Sequence, residues 1–172
     1  YVAGYAPAGS PPSSRADYVV NVPQSLVNAI LASVTLLYDS LPIDAGTVGD
    51  YRMRFQLYSV AGNEGSQDAR RAVLSGADGV VFLADAQPDR LPDNQVSYDE
   101  LMSALAMLQK AGGSFPVVIQ YNKVDLVDET ALAGMRQSLN TEGLPETYSS
   151  ALNHRGVIDS LQTITKLVAQ SL

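Results

Sequence analysis

The sequence predicts a single α/β domain in which a central, mostly parallel sheet is covered by helices on both faces. Two continuous apolar runs, 79–83 and 116–119, are typical of central parallel strands that are buried on both sides. Helical patterns separate and follow these runs, including a final apolar stripe formed by Val157, Leu161, Ile164 and Val168. Strands that alternate with helices require crossover connections, which place the strands in parallel. The 172 residues suffice for one such domain, spanning 1–172.

The remaining elements follow from periodicity and from turn residues. Met53, Phe55 and Leu57 alternate with polar residues, which indicates a half-buried strand over 51–58. We expect helices over 98–108 and 129–139, a strand over 146–151, and a last helix that begins near Val157. The first 50 residues predict a strand at 1–3, a Gly- and Pro-rich loop at 4–14, a helix over 24–34, a strand over 36–41 and a turn over 42–49. Because Tyr1 already belongs to a strand and is not Met, we expect residues to precede it.

Composition excludes several classes of function. The chain has no cysteine and a single histidine, His154, which argues against thiolate or histidine metal sites. The net charge of −7 repels nucleic acid. No apolar run approaches the roughly 20 residues that cross a bilayer. We therefore expect a cytoplasmic protein without a transmembrane segment, whose partners are proteins or small molecules.

One short motif carries specific chemistry. The strand end Val118-Ile-Gln-Tyr121 leads directly into Asn122-Lys123-Val124-Asp125. An aspartate carboxylate at this spacing can accept two hydrogen bonds from the N1 and N2 groups of guanine, a donor pair that adenine lacks. Asparagine can tie neighbouring loops together, and the lysine stem can pack on the base plane. The carboxyl end of a parallel strand is where open α/β sheets bind ligands. A plain polar turn after a strand is the alternative reading.

Five segments, taken together with this motif, resemble the bacterial MglA family, the Ras-like small GTPases of gliding and twitching motility. They are 36–42, 54–62, 78–85, 118–126 and 156–161, in the expected order. The resemblance implies a Ras-like P-loop GTPase fold with three layers, binding of GTP or GDP, and protein partners of the roadblock (MglB-like) type. It also implies that Ser150 and Ala151 form the second guanine loop, where a backbone N–H meets the base oxygen. Gly62 would approach the γ-phosphate.

The phosphate end departs from this pattern. A phosphate loop requires G-x-x-x-x-G-K-[ST], in which the lysine neutralises charge and the hydroxyl binds Mg²⁺. Gly4 and Gly9 keep the spacing of the two glycines, but Ser10 stands at the lysine position and Pro11 at the hydroxyl position. Proline also removes an N–H donor. A decayed phosphate loop and an ordinary Gly/Pro turn both fit these residues.

The switch positions that the resemblance identifies have changed as well. Val34 stands where the family has an arginine, and Asn63 stands where it has a glutamine that orients water. Thr35, the switch threonine, is retained and is the one candidate for a metal ligand. We therefore expect no catalytic residues and no Mg²⁺ site of the usual kind.

Two functions are compatible with these residues. The first is an MglA-like pseudo-GTPase that acts as a protein-interaction or regulatory module in bacterial motility or cell polarity. The alternative is an active or slow GTPase switch that uses an altered phosphate loop. Two charged groups are interpreted as solvated surface: Arg70 with Arg71 at a helix start, and a loop containing Asp85, Asp89 and Asp93.

Overall fold

The computed structural model describes residues 2–5, 39–48, 51–59, 67–110 and 115–171. The elements in chain order are β1 (Val2–Tyr5), β2 (Asp39–Val48), β3 (Tyr51–Ser59), α1 (Gln67–Gly76), β4 (Gly79–Asp85), α2 (Leu91–Met107), β5 (Val117–Asn122), α3 (Glu129–Leu139), β6 (Glu146–Ser149) and α4 (Val157–Ser171). Short 3₁₀ turns at Pro88–Arg90 and Val124–Leu126 precede α2 and follow β5. The helix that the sequence predicts over 24–34 lies outside the described residues.

Six strands form one sheet in the order β2-β3-β1-β4-β5-β6. β4 pairs in parallel with β5, and β5 with β6, while β1 and β2 run against their neighbours. Strands β3, β4, β5 and β6 therefore share one direction. Val80 lies beside Val117, which confirms the prediction that the two continuous apolar runs are neighbouring parallel strands.

Both faces of the sheet are covered, so the predicted core is confirmed. On one face, buried strand side chains such as Phe82 and Ile119 pack with Leu101 of α2 and Met135 of α3. On the other face, the cluster is formed by Phe55, Val81, Val118, Ile164 and Val168. The last helix comes close to β4 because Gly79 has no side chain. A Cβ there would lie 2.8 Å from the Val168 Cγ2 atom.

The predicted turn over 42–49 is wrong, because β2 continues through Pro42 to Val48. β2 is an edge strand that pairs only with β3 in the described sheet. Proline lacks a backbone N–H, and an edge strand tolerates this because it has no strand to bond to on its outer side. The register shifts between Asp44 and Gly46, so the glycine marks an irregularity within the strand and not its end. Pro42 and Gly46 therefore do not end the strand, although residues of these types commonly form turns.

A lysine closes the carboxyl end of α1. The Lys110 ammonium donates to the backbone oxygens of Leu74, Ser75 and Ala77 at 2.8, 2.9 and 2.6 Å. Leu74 and Ser75 lie in the last turn of the helix and Ala77 directly follows it, where carbonyls lack the usual helical partner and the helix dipole favours a cation. Within the described part of the chain, no helix combines the length and apolarity needed to cross a bilayer.

Candidate guanine-binding site

The carboxyl ends of three parallel strands meet at one edge of the sheet. Asn122 ends β5 in register with Asp85, which ends β4, and with Ser149, which ends β6. Lys123 then adopts the left-handed conformation, with φ of 65°. This residue turns the chain out of β5 and into the 3₁₀ turn that carries Asp125. The sheet therefore delivers the four-residue motif to the edge where ligands bind in folds of this class.

Asn122 joins the loops that follow these strands. Its Oδ1 atom accepts hydrogen bonds from the Ala151 backbone N–H at 3.0 Å and from the Ser149 hydroxyl at 3.1 Å. Its backbone oxygen accepts from the Ala86 N–H at 2.9 Å. This is the tying role expected of the asparagine. It also means that the Ala151 N–H, expected to meet a base oxygen, is directed at Asn122 in this structure.

Asp125 is held by a residue that the sequence reading did not single out. Asn153 donates from its side-chain amide to the Asp125 Oδ2 atom at 3.0 Å, and the same nitrogen lies 2.9 Å from the Ser150 hydroxyl. The loop that carries Asn153 is closed by paired backbone bonds between Ser150 and Arg155, both 3.0 Å. The two loops that would read a base are therefore connected by one amide.

The same loop requires a glycine at its exit. Gly156 has a φ of 72°, in the left-handed region. A Cβ at this position would collide with the backbone oxygen of Tyr148. Gly156 thus allows the chain to leave the loop and begin α4 while it passes close to β6.

Lys123 is paired with the end of the neighbouring strand. Its ammonium nitrogen lies 2.6 Å from the Asp85 Oδ2 atom. The other carboxylate oxygen of Asp85 accepts from the Gln87 N–H at 3.1 Å. Asn94, a buried residue of α2, donates to the Asp85 backbone oxygen at 2.8 Å and accepts from its N–H at 3.2 Å. The lysine is therefore oriented by a carboxylate that is itself fixed.

The interpretation of Asp85 as part of a solvated acidic loop is wrong, since it is the last residue of β4 and a partner of Lys123. Asp89 and Asp93 do lie at the surface, where they flank Arg90 at 3.9 and 3.3 Å. The position of Asp85 at the end of a continuous apolar run was the available signal.

A comparison with curated proteins decides the family. The chain is 34% identical over 174 aligned positions to the mutual gliding-motility protein MglA of Myxococcus xanthus (strain DK1622). The alignment covers 98% of this chain and 89% of that protein. The chain belongs to the MglA family of Ras-like small GTPases. No protein-family model matches it.

The candidate site of this MglA-family chain keeps groups that could bond to a guanine base. Asp125 is exposed, and Oδ1 is not used in its bond to Asn153, so the carboxylate retains acceptor capacity for the N1 and N2 donors of the base. Lys123 lies at the same edge with about half of its side chain exposed. Leu152, 79% exposed, offers an apolar side chain next to Ala151.

The structure does not bring the first predicted glycine to this edge. Gly4 lies in β1 and not in a loop, and it pairs with Gly79 at the amino end of β4. β4 spans Gly79–Asp85, so Gly4 is roughly 20 Å from the end that carries Asp85, at about 3.3 Å per residue. Seven other positions that the sequence analysis singles out lie outside the described residues: Gly9, Ser10, Pro11, Val34, Thr35, Gly62 and Asn63. Among the residues described, no three acidic or histidine side chains cluster closely enough to hold a metal ion.

A groove separates α1 from α2. Next to it, the interpretation of Arg70 as solvated surface is wrong. Arg70 is buried and pairs with Glu100 of α2 at 2.8 Å, whereas Arg71 is exposed as expected. The groove has a volume of about 400 Å³. Val96 and Met107, which are 62% and 72% exposed, provide its apolar rim.

A carboxylate near the opposite end of β6 attaches α3 to the sheet. Glu146 accepts hydrogen bonds from Arg136 at 2.7 Å, Asn140 at 2.7 Å and the Tyr148 hydroxyl at 2.8 Å, with the Tyr121 hydroxyl at 3.3 Å. Burial by itself raises the pKa of Glu146, but these hydrogen bonds outweigh it and hold the pKa below its ordinary value. Burial and the bond to Glu146 raise the pKa of Tyr148 to about 12.

Proposed function

We propose that this chain is a pseudo-GTPase of the MglA family, a cytoplasmic regulatory module of motility or cell polarity that recognises a guanine base and protein partners without hydrolysing GTP. One observation carries the proposal. The base-reading residues Asn122, Lys123 and Asp125 are each held by specific contacts at one edge of the sheet. The sequence positions that would bind and activate the phosphates have lost the required side chains.

The losses at the phosphate end act together. Ser10 replaces the lysine and Pro11 replaces the Mg²⁺ hydroxyl, so both sources of positive charge are weakened. Val34 replaces an arginine, a residue type that contributes roughly 10³–10⁵ in rate where it is supplied. Asn63 is one methylene shorter than the glutamine that orients water. Thr35 alone does not make a metal site.

The charges at the described edge support the same conclusion. Lys123 is the cation of the guanine motif itself, and its charge is matched by Asp85 at 2.6 Å. Asp125 adds a further negative charge at the same edge. The motif itself therefore supplies no unmatched positive charge to a triphosphate, whose desolvation without cations is strongly unfavourable.

The groove between α1 and α2 supports a role in binding proteins. The resemblance to the MglA family implies that α1 follows the second switch. The groove beside α1 is lined by the exposed Arg71 and by the apolar rim residues Val96 and Met107. Apolar side chains of this size beside charged groups are typical of protein interfaces. A roadblock-type, MglB-like protein is the partner class that the family resemblance implies.

The deciding experiment is single-turnover GTP hydrolysis with purified protein in excess over GTP and with Mg²⁺ present. We expect no phosphate release above the rate in buffer. Release near the intrinsic rate of ordinary small GTPases, on the order of 10⁻⁴ s⁻¹, would instead support the slow-switch alternative. Asp125→Asn is the control, because it should abolish hydrolysis that depends on guanine recognition and leave a contaminating phosphatase unaffected.

The partner is tested separately. We expect Met107→Glu to abolish co-elution with a roadblock-type protein, because it places a charge on the apolar rim of the groove. Gln137→Glu, at an exposed position on α3, is the matched control and should leave co-elution intact. Equal behaviour of the two variants would exclude this groove as the contact surface.

A further inference from the structure

The Asn153 side chain bonds to the turn that carries Asp125 and to the end of β6, and so links the two loops of the candidate base site. Its amide nitrogen is 3.0 Å from Asp125 Oδ2, in the turn after β5, and 2.9 Å from Ser150 Oγ, at the end of β6. A side-chain amide has two N–H donors, and these two contacts use both. The residues it joins are 28 positions apart in sequence, so the contact exists only in the folded chain.

The contact determines how the Asp125 carboxylate is presented. Guanine needs both carboxylate oxygens, one for its N1–H and one for an N2–H. Each carboxylate oxygen has two lone-pair sites. Asn153 uses one site on Oδ2 and leaves the second site, together with Oδ1, for the base. Because the terminal torsion of aspartate is broad, a carboxylate without this donor would sample many orientations.

The geometry points to Asn153 as a positioning residue that sets the base selectivity of the site, an inference that rests on the guanine recognition proposed above. Asn153 acts through Asp125, to which it donates a charge-assisted hydrogen bond. Both residues are exposed in the free protein, so water competes for this bond and its loss should cost little stability. A bound base covers the carboxylate and excludes water, which strengthens the bond.

The test compares GDP with IDP, whose base lacks the N2 amino group. The diphosphate is common to both ligands, so the ratio of their affinities reports the base alone. Calorimetric titrations use the unmodified protein, Asn153→Ala, Asn153→Asp and the control Gln137→Ala. Guanosine and inosine are titrated in parallel, so that the altered phosphate end cannot mask recognition of the base.

We expect the unmodified protein and Gln137→Ala to prefer GDP to IDP roughly tenfold or more, as one bond to a charged group predicts. In Asn153→Ala, GDP affinity should fall roughly tenfold and IDP affinity should fall less, so the GDP-to-IDP ratio should decrease toward one. The aspartate in Asn153→Asp has no N–H to donate and places a like charge beside Asp125. The loss of GDP affinity in this variant should therefore be at least as large as in Asn153→Ala. The melting temperature of the ligand-free Asn153→Ala variant should stay unchanged.

Three results would overturn the inference: an unchanged GDP-to-IDP ratio in Asn153→Ala, tighter GDP binding in that variant, or no binding of any of the four ligands to the unmodified protein. Tighter binding would show that Asn153 competes with the base. The hydrolysis assay is independent of these outcomes. A protein that hydrolyses GTP and loses base selectivity in Asn153→Ala would refute the proposed function and leave the role of Asn153 intact.

Discussion

Replacing Glu146 with glutamine should lower the free energy of unfolding by about 3 kcal/mol. The carboxylate accepts from three donors at 2.7–2.8 Å and from a fourth at 3.3 Å. Glutamine offers one acceptor oxygen, and its amide would face groups that are themselves donors, so about half of these bonds are lost. A hydrogen bond to a charged group contributes about 1.5–3 kcal/mol, and the Arg136 bond belongs at the low end because that side chain is 43% exposed.

The pH dependence separates this mechanism from a simple packing defect. The pKa of Glu146 is lowered, so the folded state binds fewer protons than the unfolded state near the ordinary glutamate pKa. The stabilisation is fully present above that value and is lost as the pH falls through the lower, folded-state pKa. Urea unfolding should therefore show a larger difference between the unmodified protein and Glu146→Gln at pH 7 than at about pH 3.

Thermal unfolding at pH 7 should place the midpoint of Glu146→Gln roughly 6–12 °C below that of the unmodified protein. Glu142→Gln, an exposed carboxylate four residues away, is the matched control and should change stability by less than about 0.5 kcal/mol. Equal losses at both pH values, or no loss at pH 7, would refute the reasoning.

Three further predictions concern stability, each measured by urea unfolding. Gly156→Ala should cost more than about 2 kcal/mol because of its positive φ and the backbone collision, while Gly134→Ala, in open space on α3, should gain about 0.5–1 kcal/mol; similar effects would contradict this. Lys110→Met should cost about 2 kcal/mol through three lost bonds, and the exposed Lys166→Met almost nothing. Tyr98→Phe should be neutral or stabilising by up to about 1 kcal/mol, because the buried hydroxyl has no partner among the described residues; a loss would reveal one.

The central strands and the guanine motif were predictable because their signals are local. A continuous apolar run of five residues needs cover on both faces wherever it lies, and the first four residues of the run 79–83 are buried in β4. The motif from Asn122 to Asp125 directly follows such a run, so its location at the edge of the sheet followed without knowledge of the rest of the fold.

What the sequence did not predict depends on contacts between distant residues. Lys123 and Asp85 are 38 positions apart, and Arg70 and Glu100 are 30 apart. Two adjacent arginines predict solvated surface from sequence alone. The carboxylate of Glu100, which pairs with Arg70, lies on a helix 30 residues later and gives no local signal. Likewise, Pro42 predicts a turn from sequence alone, because only the sheet order shows that it lies in an edge strand.

The contacts that hold the base-reading residues have a consequence for how such a protein can change over generations. Among the described residues, every partner of Asn122, Lys123 and Asp125 in side-chain hydrogen bonding lies between positions 85 and 153. A substitution before position 67 therefore replaces no direct partner in these hydrogen bonds. If hydrolysis has been lost as proposed, substitutions at the phosphate end need not have removed the hydrogen bonds that hold the candidate base site.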